Sequence, residues 1–511
     1  MNKIYEIEYN TNSLFNTIPD TKLIKIIENS YKLLNFKPDI LDKISGDQDR
    51  LARKKKKLRI EDKKYYQKKN GVLPGFNIKE KEINTEKLEL LAGRERMSPQ
   101  IVYLFMMVRG DFKSVTSSES VQRMHDSFTL NIILSNWNTK MPGATTILEN
   151  LNCITNETRE YILDCQIKYV LKEGLDNFKE LIIDSTHVEA NTEWPTDGKI
   201  LLALLNRAFH YSQKLSIFGL PNFKKHWMPA WLEKIKHLTD KINMTCGKKK
   251  SQGKIKKYYS QTLKTAQKAH DYLIGEIEKA DSGVSVIDIC PSKRYRLKKV
   301  WKLINDDVLD AAKVLYYTHN RVVNGIVLKA SEKILSISDR SASFIKKGNR
   351  NPVIGYKPQI IRSGNGFIPF IKVPEGNTSD ALELIPAVQE TIKRTNVTPK
   401  VIGTDDGYAS IANREELKKM GIKVVSMKGA KGKKITPVRS WNSMVYEEAR
   451  NKRSAVESMI FSLKYSYEFG DVRRRGIEAV TAELLEKVII YNLTRVILIQ
   501  ERQKQPIKQT A

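Results

Sequence analysis

Two short apolar runs, each ending in an acid, constrain this chain more than any other feature. Leu181-Ile182-Ile183 runs into Asp184, and Val401-Ile402-Gly403-Thr404 runs into Asp405. Such runs are too short for helices and suit buried strands. An acid at a strand's carboxyl end lies at the rim of a sheet, where α/β folds place ligands. Asp406 competes with Asp405. Asp405 is preferred because it comes first after the strand, and Asp406-Gly407 reads as the turn.

A third acid lies in Arg450–Lys464, where Arg450, Arg453, Glu457 and Lys464 stand at offsets 0, 3, 7 and 14. On one helix those offsets return to a single face. Val456, Met459, Ile460 and Leu463 form a second, apolar stripe that can enter a core. A solvated ion-pair face is the plain reading of a glutamate among cations. Taken with the two aspartates, Glu457 instead completes an all-oxygen set of the kind hard divalent cations prefer.

The three segments resemble the D…D…E core of bacterial insertion-sequence DDE transposases. The branch is the one whose third segment reads Y-x2-R-x3-E-x6-K, and Arg453, Glu457 and Lys464 fit that spacing. Arg450 stands where the family has Tyr, and Tyr446 is nearby but out of register. Asp184–Asp197 resembles the first-acid segment, and Asp405–Tyr408 (D-D-G-Y) the D-x-G-Y second-acid segment. The likeness runs through about 95–500 and is strongest over 350–495.

The resemblance implies an RNase H-like α/β catalytic domain with a large all-α insertion, preceded by an all-α N-terminal domain. It implies that Asp184, Asp405 and Glu457 are catalytic and hold two Mg²⁺ (or Mn²⁺) ions. Arg450, Arg453 and Lys464 would contact DNA, while Glu189, Asn191, Asp197, Asp406 and Tyr408 would orient the ligands or serve merely as caps and turns. The substrate would be double-stranded DNA, both transposon ends and target, cut and joined by a synaptic homodimer in the bacterial cytoplasm, at the nucleoid. A metal-dependent nuclease without strand transfer uses the same acids. A decayed or domesticated DNA-binding protein would keep only the scaffold.

Composition points the same way. The 511 residues exceed one ordinary core, so two to four domains are expected. With 88 Lys and Arg against 58 Asp and Glu, the formal net charge of +30 favours a polyanionic partner. The 4 cysteines form no C-x-x-C, and the 7 histidines show no H-x3-H or HExxH spacing, which speaks against a zinc site or a disulfide scaffold. His187, near the first acid, reads as structural. The N-terminus lacks the apolar stretch of a signal peptide. Val488–Gln500, interrupted by Asn492 and Arg495, reads as a buried amphipathic helix and not a membrane span.

Along the chain we expect a basic, mainly helical region over 1–92. Its runs Arg53–Lys57 and Lys63–Lys69 suit a phosphate-contacting helix or arm, and Asn70-Gly71 and Pro74-Gly75 mark turns. A helical DNA-binding or support domain covers 93–175, with Ser98-Pro99 as a helix start. The catalytic domain takes 176–194 and 336–500, the helical insertion 195–335 with basic clusters such as Lys248–Lys250, Lys254–Lys257 and Lys293–Lys302, and a polar tail 501–511. Val353–Arg362 and Phe367–Val373 read as a hairpin about Ser363–Gly366, with Pro358 and Pro369 marking edges or bulges. Lys428–Lys434 reads as a DNA-facing mobile loop.

Overall fold

The computed structural model describes residues 21–70, 96–112, 116–326, 328–329, 332–346 and 351–504. The turns expected at Gly71 and at Pro74-Gly75, and the tail beyond Lys504, lie outside them. The chain divides into one unit of Met1–Leu51, Leu91–Asn191 and Ile345–Ala511, and another of Ala52–Leu90 and Thr192–Phe344.

The strands are β1 Glu180–Ser185, β2 Val188–Glu189, β3 Ser343–Ile345, β4 Val353–Tyr356, β5 Gln359–Ser363, β6 Phe370–Lys372, β7 Val401–Thr404 and β8 Val424–Met427. In the first unit, five of them form a mixed sheet of order β6-β5-β1-β7-β8. β1 is central, antiparallel to β5 and parallel to β7, which is parallel to β8. This explains its unbroken apolar run. A strand paired on both edges and covered on both faces has no position for a polar alternation, and Leu181, Ile182 and Ile183 are all buried. Helices Asp380–Thr395 and Ile411–Lys419 join these strands in one core through Leu384, Val388 and Leu417, with Ile183, Ile361, Ile402 and Met427. The sheet order and strand directions are those of an RNase H-like fold.

The run expected as one strand, Val353–Arg362, is two. β4 pairs with β2, whereas β5 pairs with β1 and β6, and Lys357-Pro358 separates them. Pro358 has no N–H for a ladder, but its carbonyl accepts from Thr186 N at 3.1 Å. Both chains therefore turn at one level, directly after Asp184.

The helix Ile477–Lys504 explains its own polar interruptions. Asn492 is buried, accepting from Ile368 N (2.9 Å) and donating to Ile368 O (3.0 Å), and Arg495 Nε donates to Asn365 O (2.7 Å). Both brace the β5–β6 turn against the helix. Earlier in the same helix Glu486 is buried among Arg109, Arg159 and Arg474. Arg109 reaches it through Nη2 at 2.6 Å, Arg159 through Nε at 2.8 Å and Arg474 through Nη2 at 2.5 Å. Gly110 permits this: a Cβ there would meet Glu486 O at 2.9 Å. Segments Pro99–Asp111, Asn156–Lys172 and Arg474 are thus tied to one carboxylate.

The second unit is helical: Asp197–Ser212, Met228–Thr245, Gln252–Val286 and Pro291–Val323 share a core that includes Leu204, Leu205, Met228, Ile235, Ala266, Leu273, Ile304 and Val314. Asp307, fully buried there, accepts from Arg207 Nε (2.7 Å) and Arg340 Nη2 (3.0 Å). The basic runs Arg53–Lys57 and Lys63–Lys69 lie on the helix Asp39–Asn70, whose Tyr65 hydroxyl donates to Asp288 O and whose Asp62 accepts from Ser292 N. Lys248–Lys250 lie in a turn. No described helix is long and apolar enough to cross a membrane.

Burial alone would raise the Glu486 pKa, yet the charges of Arg109, Arg474 and Arg159 hold it well below the usual carboxylate range. A carboxyl depressed on folding contributes stability above its unfolded pKa of about 4.3 and loses it as pH falls from there toward the folded value. Glu486→Gln is therefore expected to cost about 3–5 kcal/mol at neutral pH in urea denaturation, because it strands buried arginines, and its deficit should shrink below about pH 4.

Candidate active site

β1 and β7 lie side by side and parallel, so their acids emerge at the same rim. Asp184 is the penultimate residue of β1 and is 3% exposed, with Oδ1 accepting from Ser185 N at 2.8 Å. Asp405 follows β7 directly, and its Oδ1 accepts from Gly407 N at 2.9 Å. Glu457 sits in the first turns of the helix Arg453–Ser466, whose Val456, Met459 and Leu463 are buried. It leaves its carboxylate 56% exposed.

Arg453 Nη2 stands among all three carboxylates: 3.1 Å from Glu457 Oε1, 3.6 Å from Asp184 Oδ2 and 3.9 Å from Asp405 Oδ2. Only the first is within hydrogen-bonding reach. Its buried Nε has no hydrogen-bond partner among the described residues. The guanidinium is thus held by charge more than by directed bonds. No group of three His, Cys, Asp or Glu among the described residues is arranged to enclose a metal ion as it stands. The chemistry of the set does fit a hard divalent cation, since three carboxylates already face one positive centre.

The two neighbouring aspartates have separate tasks. Asp406 turns away and accepts from Lys431 N (3.2 Å) and Gly432 N (2.8 Å). Lys428–Lys434 is accordingly no loop: it holds the short helix Ala430–Ile435, started by Asp406 on its free N–H groups. Gly429 makes this possible, with φ +134° and a Cβ position only 2.4 Å from Asp406 Cγ.

The helix expected over Arg450–Lys464 is also divided. Met444–Asn451 ends at Lys452 and Arg453–Ser466 begins after it, so Arg450 does not share the helix of Glu457. Its guanidinium lies over the rings of Trp441 (4.3 Å) and Tyr446 (5.6 Å). Tyr446 is buried; its hydroxyl accepts from Met427 N at 3.0 Å and pairs with Thr436 Oγ1 at 3.0 Å, fixing the end of β8. Lys464 Nζ lies 3.4 Å from His187 Nε2, beside the segment that follows Asp184.

The remaining residues of the first-acid segment are dispersed. Glu189 is a strand residue whose N donates to Gly470 O and whose O accepts from Val472 N. Asn191 Nδ2 donates to Arg473 O. Asp197 belongs to the helical unit and pairs with Arg321 at 2.7 Å. Tyr408 is buried beneath the acids, its hydroxyl donating to Gln359. Burial, with the charges of Asp380, Asp184 and Asp405 around it, pushes the Tyr408 phenol well above its ordinary pKa.

Asp380, Gln359 and Lys357 escaped the sequence reading. Gln359 Nε2 and Lys357 Nζ reach Asp380 Oδ1 at 2.8 and 2.9 Å. Asp380 opens a helix and reads as a cap, so only the fold reveals that it joins the layer under Asp184 and Asp405.

A mixed sheet with acids gathered at its rim defines an RNase H-like domain. Residues 332–493 match the family model described as transposase DDE domain. No curated protein and no solved structure matches. The matched span contains Asp405 and Glu457, and Asp184 joins them through β1.

The division of labour between adjacent acids is testable by denaturation. Asp406→Ala removes a charged acceptor from two N–H groups and should cost about 2 kcal/mol. Asp405→Asn keeps the Gly407 contact and relieves like-charge crowding, and should stay within about 0.5 kcal/mol of wild type.

Proposed function

We propose that this chain is a DNA transposase that binds the terminal inverted repeats of its own element, cuts at their ends and joins the freed 3′-hydroxyls to target DNA. The observation that carries this reading is the convergence of Asp184, Asp405 and Glu457 on Arg453 at one sheet rim. These acids would hold two Mg²⁺ or Mn²⁺ ions. Bound there, such ions supply Lewis acidity to phosphoryl oxygens and lower the pKa of a hydroxyl nucleophile. The chain's own contribution is to orient the strand and balance charge. Arg453, lightly tethered, turns its fork to a phosphate beside the cleaved bond. Lys464 adds a point charge near His187. Arg450, lying on Trp441, keeps its edge N–H groups for the backbone.

The helical segments 93–175 and the basic insertion 195–335 supply the remaining DNA contact, and two copies act together on two ends. The excess of basic residues supports a long phosphate track.

The test is Mg²⁺-dependent cleavage and joining of DNA carrying the element's ends. Asp184→Ala, Asp405→Ala and Glu457→Ala should each lose activity by at least a thousandfold while binding DNA within a few-fold of wild type. Cleavage without joined product would make the protein a nuclease. Binding without cleavage by wild type would leave a DNA-binding protein only.

A further inference from the structure

The helix that carries Glu457 continues its outward stripe with two large aromatics. Arg453, Glu457, Phe461 and Tyr465 follow one another at intervals of four, opposite the buried Val456, Met459 and Leu463. Phe461 is 68% and Tyr465 74% exposed. Their rings lie parallel, 6° apart in plane, with centroids 5.8 Å apart. A single exposed apolar side chain is ordinary, but paired flat rings beside a reactive acid form a surface with a shape. The flank is low. Ser454, Ser458 and Ser462 are exposed, and their hydroxyls turn back onto Asn451 O, Ser454 O and Ser458 O. A strand can therefore lie close along the helix without meeting a long side chain.

We propose that Phe461 and Tyr465 form a stacking platform for unpaired bases of the DNA strand whose phosphate lies at the acids. The proposal rests on the DNA reading above. The flat rings accept any base, because every base has a π-face. At 1.5 Å rise per residue the rings sit about 6 and 12 Å along the axis from Glu457. At roughly 3.4 Å per nucleotide, they meet bases about two to four nucleotides from the scissile phosphate. Duplex DNA hides those faces, so the platform favours an end that is frayed or opened.

The full-length protein can be tested with a blunt 30-mer duplex of the element's terminal repeat and the same duplex carrying a four-nucleotide overhang with 2-aminopurine. Wild type should bind the overhang about tenfold more tightly than the blunt end and quench 2-aminopurine on stacking. Phe461→Ala/Tyr465→Ala should bind both probes equally, at the wild-type blunt affinity, without quenching. Phe461→Trp should retain the preference. Both side chains are exposed, so these changes leave the fold intact. If wild type binds blunt duplex but shows no overhang preference, or the double variant keeps preference and quenching, the platform is overturned and the DNA reading stands. If the double variant instead changes only oligomeric state in sedimentation, the face is a protein contact and the platform is wrong. If wild type binds neither probe, both readings fall.

Discussion

Three carboxylates cannot be brought to one place without an opposing charge, and Arg453 provides it. The acids come from β1, from the end of β7 and from a helix far along the chain, and they meet only because β1 and β7 are parallel neighbours. Like charges at such separation repel in a partly buried setting. A guanidinium one turn before Glu457 is the least costly counter-charge, since it arrives on the same helix as one of the acids. Its distances to the aspartates are long for ion pairs, 3.6 and 3.9 Å.

A second charge cluster does the opposite work. Glu486 is closely bonded by the buried Arg109 and Arg159 and by the partly exposed Arg474, with contacts of 2.5 to 2.8 Å. There the geometry is tight and the carboxylate itself is dry, as befits a joint. The loose cluster faces the solvent through Glu457, and the tight one binds the N-terminal helices to Ile477–Lys504. The same kind of residue pair is thus loose and solvent-facing in one place and tight in the other.

Much of this site was legible in the sequence because its acids end recognisable strands. An apolar run too short for a helix has few alternatives, so Asp184 and Asp405 could be placed at a rim before any fold was known. The Ser98 start was equally plain: its hydroxyl accepts from Ile101 N ahead of Pro99. What escaped depended on partners distant in sequence. The break at Lys452 leaves no propensity signal, and it separates Arg450 from Glu457. The run Val353–Arg362 divides at Pro358, already read as an edge or bulge, but that its two halves pair with different strands depends on residues far apart. Lys428–Lys434 looks like a solvated loop by composition, yet it enters a short helix whose N–H groups Asp406 accepts from. Asp380 reads as a cap and is also a member of the layer beneath the acids.

The attachment of Asp406 to Ala430–Ile435 ties that helix to the rim of the sheet. Lys431, Lys433 and Lys434 project from an element whose first turn is anchored to the residue bonded directly to Asp405. One side chain and one peptide bond thus connect that helix to Asp405. Lengthening the β8–helix connection by even one residue would slacken this linkage without touching an acid, so the spacing between Met427 and Gly432 is under as much constraint as the residues themselves.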